Sequence, residues 1–362
     1  MPAYIHDIVT CLPDHWSEQD HLREVMKELL GQDRKTRAII HRIYSRSGID
    51  RRYSVIEDFT DNEKGSLFFN GEVKQVPDTR SRNEVYEEKV VPLFCNTARS
   101  LLQNSGYEKD EITHVITVSC TGFFAPGPEF EIVKQLDLPH SVQRFHVGFM
   151  GCFGAFPAIK MAESFCLADP GAKVLLVCAE LCSLHFQMNE ALDNLLSGSV
   201  FGDGAAGMII SADKPEKGLE IAKTASTLVL KGEKDMAWKV GNQGFEIILS
   251  SYVPEIIESN LSDWVVPLLN TYGLDKEDIE EWAIHPGGRA ILDKVRNSLA
   301  LPEEKMQHSR DVLASYGNMS SPTVLFVLKE ILEKEGRADE NIMAMAFGPG
   351  LTVESSLFKR IC

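Results

Sequence analysis

The sequence predicts an α/β protein built from two halves of similar plan, and three observations carry that prediction. Short runs of aliphatic and β-branched residues recur along the chain: "HVITVS" (114–119), "KVLLVCAE" (173–180), "AAGMIIS" (205–211) and "NIMAMAFGPG" (341–350). Segments with apolar residues at helical spacing alternate with them, which implies a sheet covered by helices. The same rhythm restarts near residue 218, as an internal duplication would. The halves are expected at 1–215 and 216–362. No Pro- or Ser-rich linker divides them, so one body is expected rather than two tethered ones.

The elements follow in order. Residues 17–46 predict a helix with Ser17 as its N-cap. The segment 55–85 is charged and irregular, as in a surface excursion. Residues 84–106 predict a helix that stops at Gly106. A buried strand follows at 114–119, then a helix over 153–168. Pro157 falls inside the first turns of that helix and is expected to bend it slightly. Strands are predicted at 173–180 and 205–211. In the second half, 218–230 is strand-like, 253–273 an amphipathic helix and 281–287 a strand running into a loop. Residues 320–336 are helical, and 341–350 is a strand entering a glycine-rich turn.

The totals exclude some function classes. The chain has 362 residues, 44% hydrophobic and 25% charged, with a formal net charge of −16. Nucleic acid is a poor partner for such a surface, because phosphate binding needs an excess of Lys and Arg. A local basic patch at 41–54, "HRIYSRSGIDRRYS", still suits a small phosphorylated ligand. The N-terminus lacks a basic and apolar leader pattern, so no signal peptide is expected. No apolar run approaches the roughly 18 residues of a membrane span. Eight scattered cysteines in apolar surroundings suit a reducing, cytoplasmic setting rather than a disulfide framework. Cys178 and Cys182 lie four apart, but no cluster elsewhere completes a metal site, so no metal is expected.

The chemistry points to "GFMGCFGAFPAIKMA" (148–162). Cys152 lies where a helix begins, and the positive end of a helix favours a thiolate. A thiol pKa below the roughly 8.5 of free cysteine is therefore expected. Gly148, Gly151 and Gly154 permit close approach of backbone and ligand. Taken alone, Cys152 equally fits a small core residue. Two residues in the second half change that balance. His285 follows a strand, and Asn318 precedes a helix. Singly, they fit a satisfied polar residue and a helix cap. Together with a thiol they form an acyl-transfer set. The imidazole can take the thiol proton, and both N–H groups can donate to a developing oxyanion.

At this point the chain resembles the type III polyketide synthases, typified by chalcone and stilbene synthases, in a bacterial-type form. The resemblance rests on six motifs in order: "GCFGAFPA", "FGDGAAGMI", "GNQGFEI", "HPGG", "YGNMSSP" and "FGPGLTVES". It implies a thiolase-like fold, with duplicated α/β halves in a layered αβαβα arrangement, and a homodimer. It implies Cys152 as nucleophile, with His285 and Asn318 as partners. An acyl-CoA starter would load on the cysteine. Malonyl-CoA would lose CO2 and condense with it repeatedly, and the product would then cyclise. Coenzyme A thioesters are substrates, and no cofactor is implied.

The resemblance also implies finer roles. Phe201 and Phe245 match a pair of gatekeepers between the CoA tunnel and the cavity. Arg42, Arg46, Gly287 and Ala290 match CoA-binding positions. A third basic position is Ile39 here, with Lys35 and Arg37 nearby. Read without the resemblance, the same charges fit a solvated helix face. Cys120, His185, Met236 and Ser320 match cavity walls. Ala125 stands where plant enzymes place a methionine that enters the partner's cavity. "SCTGFFAPG" and "FMGC" look bacterial, which implies an aliphatic starter and a pyrone, resorcinol or phloroglucinol product.

Three rival functions share part of this pattern. A third-class ketoacyl-ACP synthase has the same three residues, but "HPGG", "GNQGF" and "FGPGLT" point away from it. A papain-like hydrolase reads Cys, His, Asn in the same order, but its local cysteine pattern is missing. A non-catalytic thiolase-fold binding protein would not need all three chemical residues.

Overall fold

Runs that are apolar at every position form strands covered on both faces. In the computed structural model, which describes residues 2–60, 67–70, 73–250 and 252–362, nine strands share one sheet; Lys173–Leu181 and Asp203–Ser211 are buried throughout, whereas the edge strand Gln143–Gly148 is largely exposed. Their order is Glu281–Ile284, Asn341–Gly348, Thr352–Ile361, Gly218–Leu228, Ala3–Cys11, Asp203–Ser211, Lys173–Leu181, His114–Ser119 and Gln143–Gly148.

The duplication shows in this order. The antiparallel pair Ala3–Cys11 and Gly218–Leu228 joins the halves at the centre. Outward from it, each half places its first strand, its last, its penultimate and its second. The strand directions repeat as well. His114–Ser119 runs parallel to Lys173–Leu181, as Glu281–Ile284 does to Asn341–Gly348. The second half has no counterpart to Gln143–Gly148 among the described residues.

Alternate residues along a strand point to opposite faces, and that period builds the layers. Val174, Leu176 and Cys178 face a central core, together with Ile342, Ala344 and Ala346 of the other half. The helices Ala155–Ala168 and Thr323–Glu333 fill that core. The intervening residues Leu175, Val177 and Ala179 face an outer core under the helix Thr79–Ser105. Met343, Met345 and Phe347 face another, under the helices Val253–Thr271 and Arg289–Leu299. Sheet around paired helices, with helices outside, is the layered arrangement expected from the sequence.

Three local expectations change. Residues 17–46 are not one helix. Ser17 lies in a strand, His15–Glu18, paired with Arg51–Ser54. A helix then runs over Gln19–Leu30 and a second over Arg34–Ser45. Asp33 caps the second by accepting from the Thr36 amide at 2.8 Å. The segment 55–85 is anchored rather than wholly superficial: Leu67, Phe68 and Phe69 are buried, and their amides donate to Asp58. Residues 61–66 and 71–72 of that stretch lie outside the described residues. Pro157 does not interrupt a helix. The helix starts at Ala155, so the missing N–H falls in the first turn, where no intrahelical bond is due. No helix among the described residues is long and apolar enough to cross a membrane.

Candidate active site

The thiol is presented by a tight turn. Cys152 lies in a single 3-10 turn, Gly151–Phe153, that leads into the helix Ala155–Ala168. Gly151 has φ 76°, and a Cβ there would collide with Pro349 of the "FGPG" turn. Only glycine lets the two turns meet beside Cys152. The neighbouring Cys120 Sγ accepts a hydrogen bond from the Gly151 amide at 2.9 Å.

The amide comes from the second half. Gly317, at φ 70°, turns the chain where a side chain would strike Arg52 and the Val200 carbonyl. Asn318 then pairs with the 200–202 segment: its N–H donates to Val200 O at 2.8 Å, and its carbonyl accepts from Gly202 N at 2.9 Å. Its side-chain oxygen accepts from the Ser320 amide at 2.8 Å. That bond sets the amide orientation. The Nδ2 group lies 4.0 Å from Cys152 Sγ and donates to Gly287 O at 3.3 Å. Ser320 is one of the few non-glycine residues with positive φ, 61°.

The imidazole enters from a strand end. His285 follows Glu281–Ile284, and its N–H donates to Met345 O at 2.8 Å. The residue is 1% exposed, and neither ring nitrogen has a hydrogen-bond partner among the described residues. Burial without a partner disfavours the cation and pushes its pKa down to about 3. The ring is neutral at physiological pH and keeps one N–H donor.

Cys152, His285 and Asn318 line one cavity of about 450 Å³. Burial dominates the thiol too and pushes its pKa up to about 11; Ser320 and Asn318 pull it down and the Glu180 carboxyl pushes it further up. The expected value below 8.5 is therefore reversed. Loss of water outweighs the helix terminus, which begins two residues beyond the turn. Glu180 is fully buried and binds Cys120 N (2.8 Å), Thr121 Oγ1 (2.8 Å) and Ser321 Oγ (2.6 Å). It ties the 119–121 turn of the first half to the 318–321 turn of the second.

The other expected residues divide into three groups. Cys120, Phe201, Met236 and Ser320 line the main cavity, and so do Arg42, Arg46, Gly287 and Ala290. Ile39 does not; it packs on the outer core of the first half. His185 and Phe245 do not reach the main cavity. Both line a smaller one of about 70 Å³ behind it. There His185 stacks on Phe245 with ring centroids 4.2 Å apart. Ala125 is exposed and lines neither cavity. Sequence reasoning missed Cys182, Trp238, Arg289 and Lys294, all of which line the main cavity. Only Trp238 left a signal, since it alternates with Met236 on one strand face.

Comparison with known proteins converges on one family. Residues 2–214 match the N-terminal domain, and residues 220–362 the C-terminal domain, of the family described as chalcone and stilbene synthases. The chain is 34% identical to "Alpha-pyrone synthesis polyketide synthase-like Pks18" of Mycobacterium tuberculosis, over 98% of this chain and 91% of that protein. The fold matches the crystal structure of PKS-I from the brown alga Ectocarpus siliculosus with a TM-score of 0.92, at 29% identity, over 99% of this chain and 98% of that one. It matches 1,3,6,8-tetrahydroxynaphthalene synthase from Streptomyces coelicolor, a bacterial type III polyketide synthase, with a TM-score of 0.89, at 25% identity, over 98% and 99% of the two chains. This chain therefore belongs to the chalcone and stilbene synthase family and is a type III polyketide synthase, an acyltransferase with the thiolase-like fold.

Proposed function

We propose that Cys152 accepts an acyl group from a coenzyme A thioester and that His285 and Asn318 activate malonyl-CoA to extend it. In the first step Sγ attacks the thioester carbonyl. His285 takes the thiol proton and delivers it to the departing CoA sulfur. Malonyl-CoA then loses CO2, and the electron pair moves onto the thioester oxygen. The N–H groups of His285 and Asn318 donate to that oxygen. The enolate carbon attacks the acyl-Cys152 carbonyl, the C–S bond breaks, and a β-ketoacyl-CoA is released. Repetition lengthens the chain before ring closure.

The observation that carries this reading is His285. It is a fully buried, neutral imidazole with both nitrogens unpartnered among the described residues, in one cavity with an amide held 4.0 Å from a thiol. A buried polar group without a partner costs stability and calls for a ligand that satisfies it.

Supporting features refine the substrates. Arg42 and Arg46 are exposed and line the cavity together with Arg289 and Lys294, a set that suits the phosphates of CoA. Apolar side chains such as Leu196, Phe201, Met236 and Phe347 dominate the interior, which favours an aliphatic starter and a pyrone, resorcinol or phloroglucinol product. The protein acts as a homodimer in this reading. Phe123 and Phe149 stand 53% and 37% exposed and both pack on Phe245, an apolar face suited to a second copy.

Incubation with malonyl-CoA and a panel of acyl-CoA starters, with products read by mass spectrometry, tests the reading. Extended and cyclised products are expected, and Cys152→Ala should yield none. Unchanged turnover in that variant would refute the nucleophile.

A further inference from the structure

The main cavity and the small one behind it share a wall. Cys182, Phe201, Trp238 and Ile247 line both. Trp238 is the largest of the four, and Ile247 is its direct cross-strand neighbour. Its Nε1–H donates to the Cys120 carbonyl at 2.7 Å, so the indole is tied to the turn beside the nucleophile. Its ring meets His185 and Phe245 edge-on, with centroids 5.7 and 5.9 Å away. The hairpin that carries it, Met236–Gly241 and Gly244–Leu249, forms a two-stranded sheet apart from the nine-stranded one. A change at Trp238 therefore leaves the main sheet's pairing untouched.

The space behind the indole suits hydrocarbon. Its apolar lining includes Leu22, Met26, Phe59, Phe186 and Phe245. Its polar side chains are already engaged. His185 Nε2 bonds Thr121 O at 2.7 Å, and its Nδ1 accepts from Phe245 N at 2.9 Å. The Gln187 amide donates to the carbonyls of His185, Gln243 and Phe245. Ser183 is held by Asp203, and Arg52 by Gln19 and the Phe201 carbonyl. A methylene chain entering there would break none of these bonds and would displace little that water prefers.

We infer that Trp238 is the stop that sets the length of acyl chain the enzyme accepts. A linear saturated acyl group on Cys152 ends against the indole, and removing the indole opens the rear cavity to further methylenes. This rests on Cys152 as the acyl acceptor. Each methylene moved from water into an apolar pocket is worth roughly fourfold in binding.

The test is intact-mass measurement of acyl transfer to the protein from a series of linear saturated acyl-CoAs of increasing length. The unsubstituted enzyme should show a length beyond which acylation falls away. Trp238→Ala should move that limit to longer chains, with roughly fourfold faster loading for each newly enclosed methylene. Trp238→Leu, a milder change should the alanine variant not fold, should move it in the same direction by less. Adding Leu22→Phe to either variant refills the rear cavity and should shorten the limit again. An unchanged limit, or a uniform loss at every length, overturns the stop. Failure of the unsubstituted enzyme to load any thioester is a different outcome, and it overturns the Cys152 assignment instead.

Discussion

Two buried histidines separate what burial does from what hydrogen bonding does. His185 and His285 are both almost fully enclosed, and burial pushes the pKa of each down to about 3. Their partners differ completely. His185 donates from Nε2 to Thr121 O, accepts at Nδ1 from Phe245 N, and stacks on the Phe245 ring. Every polar site on it is used, and it clips the 121 turn to the hairpin. Among the described residues His285 has no side-chain hydrogen-bond partner, and it lines the cavity with Cys152. A perturbed pKa alone therefore does not distinguish the two. Unspent hydrogen-bonding capacity beside a cavity does, and it is what supports the role proposed for His285.

Substitution should split the pair along that line. His285→Ala should cut malonyl-CoA decarboxylation by about a hundredfold to a thousandfold, the usual cost of one oxyanion donor. It breaks no side-chain hydrogen bond among the described residues, so any fall in its unfolding free energy reflects only the packing of the buried ring. A rate loss under about threefold would erase the distinction. Asn318→Ala should lower decarboxylation by a similar factor while sparing starter loading more; equal losses in both would place Asn318 outside the enolate step.

His185→Phe should do the reverse. It keeps a ring against Phe245 but leaves Thr121 O and the Phe245 N–H unpaired, at about 1–3 kcal/mol for each buried group. Denaturant unfolding should show the loss, and a variant as stable as the parent would refute the clip.

Acid should reveal the trait they share. In the unfolded chain a histidine gains its proton as pH falls through about 6.5. Each folded imidazole stays neutral until about pH 3. The unfolded state binds more protons in that window, so this contribution is full above pH 6.5 and is lost as pH falls towards 3. Each histidine adds up to about 1.4 kcal/mol per pH unit to the slope. His285→Gln should reduce the measured slope by that amount, and an unchanged slope would mean that the ring is protonated in the fold.

The smallest effect concerns the thiol. With Cys152 pushed up to about 11, its alkylation by iodoacetamide in the free enzyme should still be rising past pH 8.5. A plateau below that value would show that His285 takes the thiol proton before substrate arrives.

The legible parts of the fold and the illegible ones have distinct causes. Runs such as 174–179 and 342–347 are apolar at every position, the pattern of a strand covered on both faces. Residues 17–46 misled because the break at Gly31–Asp33 is short and the helical spacing resumes beyond it. Cys152, His285 and Asn318 were legible through the motifs around them. That His185 and Phe245 line the smaller cavity was not legible, because a family position shows which residue stands there, not which neighbours it packs against.

The sequence by itself determined the plan of a sheet covered by helices and, through the motifs around them, singled out Cys152, His285 and Asn318, since periodicity and local motifs are properties of neighbouring residues. Tertiary structure alone decided the direction of the Cys152 pKa, the separate uses of two similar histidines and the Trp238 wall between two cavities. Those depend on which distant groups meet and on how much water is left between them, and neither is written in any single stretch of chain.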